Sequence, residues 1–193
     1  MRDLKGINME RPATAFVSVS EATEILERTI SFVQNCDNKA SIVLGVYGII
    51  FTIALTNDGI SNLKEILKSA LRLNTYSSIL YVVMLILSIF ITAFGVFRII
   101  KVLEARISFS KGKGLVTDSK IFFGSISKDP YWKYRKKLLS MTEKDYLDNI
   151  ITEIYINSCI CSNKYQNYNC GLKYSIIGSI IFFALWIIGV VIY

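Results

Sequence analysis

The chain has 193 residues, with 22 lysines and arginines against 15 aspartates and glutamates, no histidine, and 52% hydrophobic residues. A mean hydropathy of +0.44 is too high for an ordinary soluble domain, and uncharged stretches of about 20 apolar residues are typical of membrane-spanning helices. The composition therefore predicts an all-α membrane protein. The lack of histidine also excludes the catalytic and metal sites that depend on imidazole.

Three uncharged apolar segments divide the chain into membrane and water-exposed parts. They are Ala40–Thr56, Thr75–Phe97 and Tyr174–Tyr193, and each is predicted to cross the bilayer, the first lengthened by Lys39, whose aliphatic stem can stay in lipid. The other predicted segments are a disordered N-terminus (1–19), a cytosolic amphipathic helix (20–39), an external loop (57–74), and a cytosolic segment (98–173) with a long helix at 142–170.

The distribution of basic residues predicts the orientation. Five lysines and arginines precede Ala40, three lie in the loop 57–74, and fourteen lie in the segment 98–173. Because basic segments stay in the cytosol, we expect a multi-pass inner-membrane protein with a cytosolic N-terminus and an external C-terminus. The first and last spans would continue into the cytosol as amphipathic helices that pack with the basic linker segment.

The first helix is predicted to start at Ser18 or Ser20, because either serine precedes acidic residues suited to the first turn. One face carries the apolar residues and a single carboxylate: Ala22, Leu26, Ile30, Val33 and Asp37. A carboxylate on an apolar face needs a cation or several donors. Lys164 and Lys173 lie at a comparable depth on the last helix, so the sequence favours an ion pair and leaves a ligand contact open.

Small residues follow one face of the first span: Ser41, Gly45, Gly48 and Thr52. Small residues let helices approach closely in lipid, so this face is either a packing surface of the bundle or an interface that rearranges or oligomerises. Ser88, Thr92 and Gly95 share a face of the second span, whose helix is expected to continue to about Phe109. A short amphipathic helix is predicted in the external loop.

The segment 98–173 contains three local patterns. The residues Lys111–Gly114 are predicted to form a basic turn, since they lack the spacing of a phosphate-binding loop. The residues Ile121–Ile126 predict a short strand or a tight turn. The residues Tyr131–Lys137 mix aromatic and cationic side chains, a composition that binds anionic lipid headgroups near a membrane.

The last helix is predicted to begin with a capping box, Ser140 to Glu143. Its apolar or small residues recur at helical spacing at Leu147, Ile150, Ile151, Ile154, Ser158, Cys161, Tyr165, Tyr168 and Leu172. The polar residues expected mostly off this face are Lys144, Asp148, Asn149, Thr152, Asn163, Gln166 and Asn167. The helix would then run into the last span, with a bend at Gly171. The four cysteines match no common zinc spacing and are interpreted as small buried residues.

Three motifs together resemble the Pycsar effector transmembrane family (PycTM). They are Asp37-Asn38-Lys39-Ala40 before the first span, Phe122–Ile126 followed by Asp145-Tyr146-Leu147, and Glu153–Tyr165 before the last span. The resemblance covers about residues 21–193. It implies a membrane effector of antiphage defence that responds to a cyclic pyrimidine nucleotide and kills the infected cell by impairing its inner membrane.

The residues proposed to bind the ligand or to couple it to the spans are Asp37, Lys39, Phe123, Gly124, Asn157, Ser158, Lys164 and Tyr165. We expect a homo-oligomer that contacts membrane lipid, with no cofactor, no metal and no nucleic acid as partner. Nothing in the sequence matches a nucleophile motif, so no enzymatic activity is expected. The alternative is a membrane adaptor that anchors a partner protein.

Overall fold

The computed structural model describes residues 17–104, 116 and 118–192. Within these residues the secondary structure is entirely helical, and no strand occurs among them. The helices are α1 (Val19–Ala54), α2 (Asn57–Leu73), α3 (Tyr76–Leu103), α4 (Phe123–Ile126), α5 (Tyr131–Leu139) and α6 (Glu143–Ile192). The all-α prediction is confirmed. The predicted basic turn at Lys111–Gly114 and most of the N-terminal segment lie outside the described residues.

Three of the helices, α1, α3 and α6, are long and apolar enough to cross a membrane. At most 22% of the most apolar window of each helix is buried inside the chain. Large side chains such as Ile42 (69% exposed) and Phe90 (67% exposed) therefore point away from the protein. Such an apolar surface suits a lipid environment, and the prediction of three helices able to span a membrane is confirmed.

The first and last spans are parts of helices much longer than the bilayer. α1 has 36 residues and α6 has 50, which correspond to lengths of about 54 Å and 75 Å at 1.5 Å per residue. A hydrocarbon core of about 30 Å holds only part of each helix. Both helices contribute residues to each of two compact units, residues 1–28 with 110–155 (unit 1) and residues 29–109 with 156–193 (unit 2).

Small residues bring α3 and α6 into close contact within unit 2. A Cβ atom added to Gly95 of α3 would collide with the backbone of Ser175 on α6, and one added to Gly178 of α6 would lie 2.6 Å from the backbone nitrogen of Thr92 on α3. The predicted face of α3 therefore does pack. Its partner face on α6, which includes Gly171, was not recognised from the sequence, although its spacing of small residues was visible there.

Hydrogen bonds of tyrosine side chains also join the spanning helices of unit 2. The hydroxyl of Tyr81 on α3 donates to the carbonyl oxygen of Leu185 on α6 at 2.9 Å, and the hydroxyls of Tyr47 and Ser179 join α1 to α6 at 3.3 Å. The predicted loop helix is α2, whose first turn is capped by the Thr56 hydroxyl. Ile66 of α2 is buried and lies beside Gly189 near the end of α6.

Capping explains where the long helices begin. Ser18 and Glu21 form a reciprocal capping box, with the serine hydroxyl accepting from the Glu21 amide at 3.2 Å and the glutamate accepting from the Ser18 amide at 3.0 Å. This confirms the first of the two predicted starts. For α6 the prediction was wrong by two residues, because the box is formed by Thr142 and Asp145, at 3.1 Å and 3.2 Å, and not by Ser140 and Glu143.

Three further local predictions differ from the structure. α3 ends at Leu103, short of Phe109, because Glu104 adopts an extended conformation. Of the two alternatives predicted for Ile121–Ile126, the strand is wrong and the turn is confirmed, because Phe123–Ile126 form a single helical turn and the ring of Phe122 folds back over Gly124. α6 continues through Gly171 without interruption, since this glycine provides a close approach to Ile99 and not a break in the helix.

At Gly45 and Gly48 the predicted small-residue face of α1 meets no other helix among the described residues. A Cβ atom added to Gly45 or Gly48 would meet nothing within 4 Å, and Ser41 and Thr52 are exposed. Within the chain α1 packs through a different face, on which Cys36, Ala40 and Tyr47 are buried. The prediction that the Gly45 face packs against another helix of the same chain is therefore wrong. The alternative, that this face forms an interface between chains, stays a prediction.

We expect Gly95→Ala to destabilise the protein, because the added Cβ atom meets backbone atoms of Ser175 that cannot rotate away. The expected cost is about 1–3 kcal/mol. The matched control is Gly48→Ala, which makes the same chemical change in open space and should be neutral or slightly stabilising through its higher helix propensity. Thermal unfolding of the monomeric protein in detergent measures both, and a Gly95→Ala protein as stable as the wild type would contradict the assigned packing.

Candidate functional site

Lys164 joins the three spanning helices of unit 2. From α6, its ammonium donates to the Asp37 carboxylate of α1 at 2.5 Å and to the Val102 carbonyl oxygen of α3 at 2.6 Å. The lysine side chain is 7% exposed and the aspartate side chain is 35% exposed. The predicted ion pair is confirmed, whereas Lys173 is exposed. Lys164, Asp37 and the Val102 carbonyl are called the three-helix joint below.

The Val102 carbonyl takes part because of where α3 ends. α3 stops at Leu103, so the Val102 oxygen is one of the terminal carbonyls that lack a partner inside the helix. The negative end of the helix dipole also lies there and favours a cation. Lys164 therefore caps α3 while it pairs with α1. The sequence could not reveal this contact, since it depends on the residue at which α3 ends.

Small and branched apolar side chains surround the three-helix joint. Cys36 and Ala40 of α1 and Ile99 and Val102 of α3 form a fully buried cluster, with Tyr165 of α6 packed against it. The two small side chains of α1 leave room for α3 to approach. The described cysteines carry free thiols, and Cys36 is buried while Cys159, Cys161 and Cys170 are partly buried.

Four of the predicted site residues meet at this place. Asp37 and Lys164 form the joint, and the ammonium of Lys39 lies 5.8 Å from the centre of the Tyr165 ring, in position for a cation–π contact. The lysine is exposed and the tyrosine is partly buried. The four side chains place two cations and one carboxylate at one end of the spans in unit 2.

The other predicted site residues are more distant or belong to unit 1. Asn157 is partly buried and Ser158 is exposed, and they precede Lys164 on α6 by about 10 Å at 1.5 Å per residue. Phe123 is 66% exposed, and Gly124 carries no side chain that would block the ring of Phe122. A role for these residues in ligand binding or coupling stays a prediction.

Arg98 is a functional candidate that sequence reasoning did not select. Its Nε atom is the buried side-chain nitrogen without a hydrogen-bond partner among the described residues. Arg98 and Val102 are four positions apart on α3, so they share a face of that helix. A second cation with an unused donor therefore lies one turn from the carbonyl that Lys164 caps.

Unit 1 is organised around a buried polar face of α6. Asn149 accepts from the backbone nitrogen of Lys120 at 2.9 Å, and Thr152 accepts from that of Val116 at 3.4 Å. Both are buried, so their predicted place off the buried face was wrong; the same holds for Asn167, which is 6% exposed. The irregular chain before α4 offers backbone donors that must be satisfied, and polar side chains of α6 supply the acceptors.

Charged groups hold α5 to the preceding chain in unit 1. The ammonium of Lys137 bridges Asp118 at 2.7 Å and Asp129 at 2.5 Å, while Lys133 also contacts Asp129 at 2.8 Å. Hydrogen bonds from Lys133 and Lys137 lower the pKa of the Asp129 carboxyl, and those to Asp118 and Asp129 raise the pKa of Lys137. The helix is therefore tied down through its Lys137 side.

Comparison with known proteins decides the family. A family model described as the Pycsar effector protein domain (PycTM) matches residues 21–193. The chain belongs to the Pycsar effector family. Pycsar effectors act in antiphage defence, so this chain is an antiphage effector located in a membrane. The Pycsar effector protein GmPycTM of Gulbenkiania mobilis is 28% identical over 180 residues, which cover 86% of this chain and 89% of the relative. No solved structure matches the chain.

For this Pycsar effector we expect Lys164→Met to cost about 1–3 kcal/mol of stability, because it leaves a partly buried carboxylate and a helix-end carbonyl without their cation. Asp37→Asn should also destabilise, and the double variant should lose less than the sum of the two. Unfolding in detergent measures the cycle, and Lys173→Met is the matched control. Additive effects would show that the two side chains do not interact.

The buried carboxyl of Glu153 in unit 1 predicts a pH dependence. Burial raises its pKa above the usual 4.5, and a hydrogen bond with Ser119 opposes part of this shift. The unfolded chain therefore releases this proton first as pH rises, and the folded state loses stability from about pH 4.5 up to the raised pKa. The Glu153→Gln substitution removes the ionisable carboxyl and therefore this pH-dependent loss of stability.

We expect the melting temperature of the Glu153→Gln protein to exceed that of the wild type at pH 8 and to match it near pH 4. Glu143→Gln, at an exposed position in the first turn of the same helix, is the control and should show no such divergence. A difference between Glu153→Gln and wild type that is the same at both pH values would contradict the assignment.

Proposed function

We propose that this Pycsar effector is a non-enzymatic protein that impairs the inner membrane of an infected cell when a nucleotide signal, or a partner that senses one, acts on the three-helix joint. The observation that carries the proposal is the contact of one buried ammonium with α1 and α3 at once. Breaking it frees the ends of three spans together. We also propose that the N-terminus is cytosolic and the C-terminus external, as the basic segments favour.

A ligand acts on this joint only if it binds the open arrangement better than the closed one. An anion that replaces the Asp37 carboxylate on Lys164 satisfies this condition, because it keeps the ammonium paired while it releases α1. The aspartate side chain is 35% exposed, which leaves an approach to the pair. Arg98, with its unused Nε donor, supplies a second cation, and a cyclic pyrimidine nucleotide carries the phosphate that both cations favour.

The spans of the released state need new contacts in lipid, and α1 offers them. Its Gly45 and Gly48 positions have open space around them, and small residues allow a second helix to approach closely. Beside this helix a cleft of about 210 Å³, lined by residues that include Tyr47, Phe51 and Trp186, separates α1 from α6. We propose that α1 repacks against other copies, so the active form is a homo-oligomer.

A membrane adaptor is the second candidate function, since unit 1 exposes Trp132 (69%) and Leu139 (70%) on its surface. The two candidates differ in what the protein does alone in a membrane. An adaptor leaves the membrane intact and copurifies with a soluble partner, whereas an effector changes ion permeability when it is triggered.

Bacteria that express the protein together with a nucleotide cyclase of a Pycsar system should lose membrane potential, as measured with a voltage-sensitive dye. The protein alone should leave the potential unchanged. Asp37→Asn should depolarise cells without the cyclase, because the joint is already weakened, while Lys173→Gln should behave as wild type. Wild-type protein that is present in the membrane and causes no depolarisation with the cyclase would overturn the proposal.

A further inference from the structure

α5 exposes apolar side chains that a helix of a soluble unit usually buries. Among its residues Tyr134 and Lys137 are partly buried, and the other positions of Tyr131–Leu139 are exposed. Trp132 is 69% exposed and Leu139 is 70% exposed. Large aromatic and aliphatic side chains gain free energy by leaving water, so this surface calls for an apolar neighbour.

The exposed residues are ordered around the helix. Trp132 and Leu139 are seven positions apart, which places them on the same line along the surface. Arg135 and Lys136 flank that line on either side. Tyr134 and Lys137 lie opposite, where Lys137 holds α5 to Asp118 and Asp129. The outward face of α5 is therefore an apolar line bordered by two cations.

The cations of the outward face are not neutralised within the described part of the chain. Asp129 is engaged by Lys133 and Lys137. Arg135 and Lys136 form no ion pair with any described residue, and both side chains are exposed. A surface with a tryptophan, a leucine and two free cations matches a lipid interface, where acyl chains accept the apolar groups and phosphates accept the cations.

We propose that α5 lies on the surface of an anionic membrane, with Trp132 and Leu139 entering the headgroup region and Arg135 and Lys136 binding lipid phosphates. An anionic membrane is the proposed neighbour because Arg135 and Lys136 form no ion pair among the described residues, so the outward face complements lipid phosphates beside an apolar phase. The inference concerns unit 1 and does not depend on how the spans respond to a trigger.

The full chain can report on this contact through tryptophan fluorescence. It has two tryptophans, and Trp186→Phe leaves Trp132 alone. The protein is placed in nanodiscs of phosphatidylcholine, with or without phosphatidylglycerol, and the brominated form of each lipid tests whether the indole touches acyl chains. We expect bromolipid quenching and a blue-shifted emission in the anionic discs, both reversed by high salt.

The variant Arg135→Gln/Lys136→Gln should lose this response, because each cation contributes about a fivefold preference for anionic lipid. The matched control is Lys64→Gln/Lys68→Gln, which removes two exposed cations of α2 and should leave the Trp132 signal unchanged. Two results would overturn the proposal. In the first, acrylamide quenches Trp132 in every type of nanodisc, so the indole stays in water. In the second, Trp132 is shielded from acrylamide but is not quenched by bromolipid, so protein and not lipid covers it.

Discussion

A buried ammonium that must find oxygen partners determines how the three spans of unit 2 meet. Lys164 cannot stay charged in an apolar surrounding without compensation, and the chain offers it one carboxylate on α1 and one terminal carbonyl on α3. Both partners lie on other helices, so the two hydrogen bonds of the Lys164 ammonium align all three helices. The small side chains of Cys36 and Ala40 are buried beside this contact, in one cluster with Ile99 and Val102 of α3. The position of Lys164 therefore fixes Asp37 of α1 and the C-terminal end of α3 relative to α6.

α6 meets three kinds of environment along one uninterrupted helix. Its first part buries Asn149, Thr152 and Glu153 and serves the irregular chain before α4. Its middle carries Lys164, and its last part has Gly171 and Gly178 where α3 approaches. Each of these three features suits its surroundings. In the spanning part, small residues matter because helices associate in lipid through close packing and not through hydrophobicity.

The sequence predicts the parts of the fold that depend on segment length and charge. It does not predict the features that depend on which residues of different segments come into contact. Uncharged stretches gave the spans because few other structures tolerate them, and Asp37 pointed to Lys164 because a carboxylate on an apolar face needs a cation. The burial of Asn149 and Thr152 was not visible, because their partners are backbone amides of a segment without regular structure. The contact with the Val102 carbonyl could not be predicted for a similar reason. The sequence does not show which backbone carbonyls lie at a helix end, and the sequence predicts that α3 continues to Phe109. Gly171 was interpreted as a bend because its neighbour on α3 could not be known.

The sequence separation within the three-helix joint bears on how the protein is made. Asp37 and Lys164 are 127 residues apart, so at 5–20 residues per second their synthesis is separated by roughly 6–25 s. During this interval the first spans are already emerging from the ribosome while the aspartate and the end of α3 have no cation. The arrangement is completed only when the last helix arrives. A nascent chain that stops before Lys164 therefore has membrane helices but lacks the cation that joins Asp37 of α1 to the end of α3.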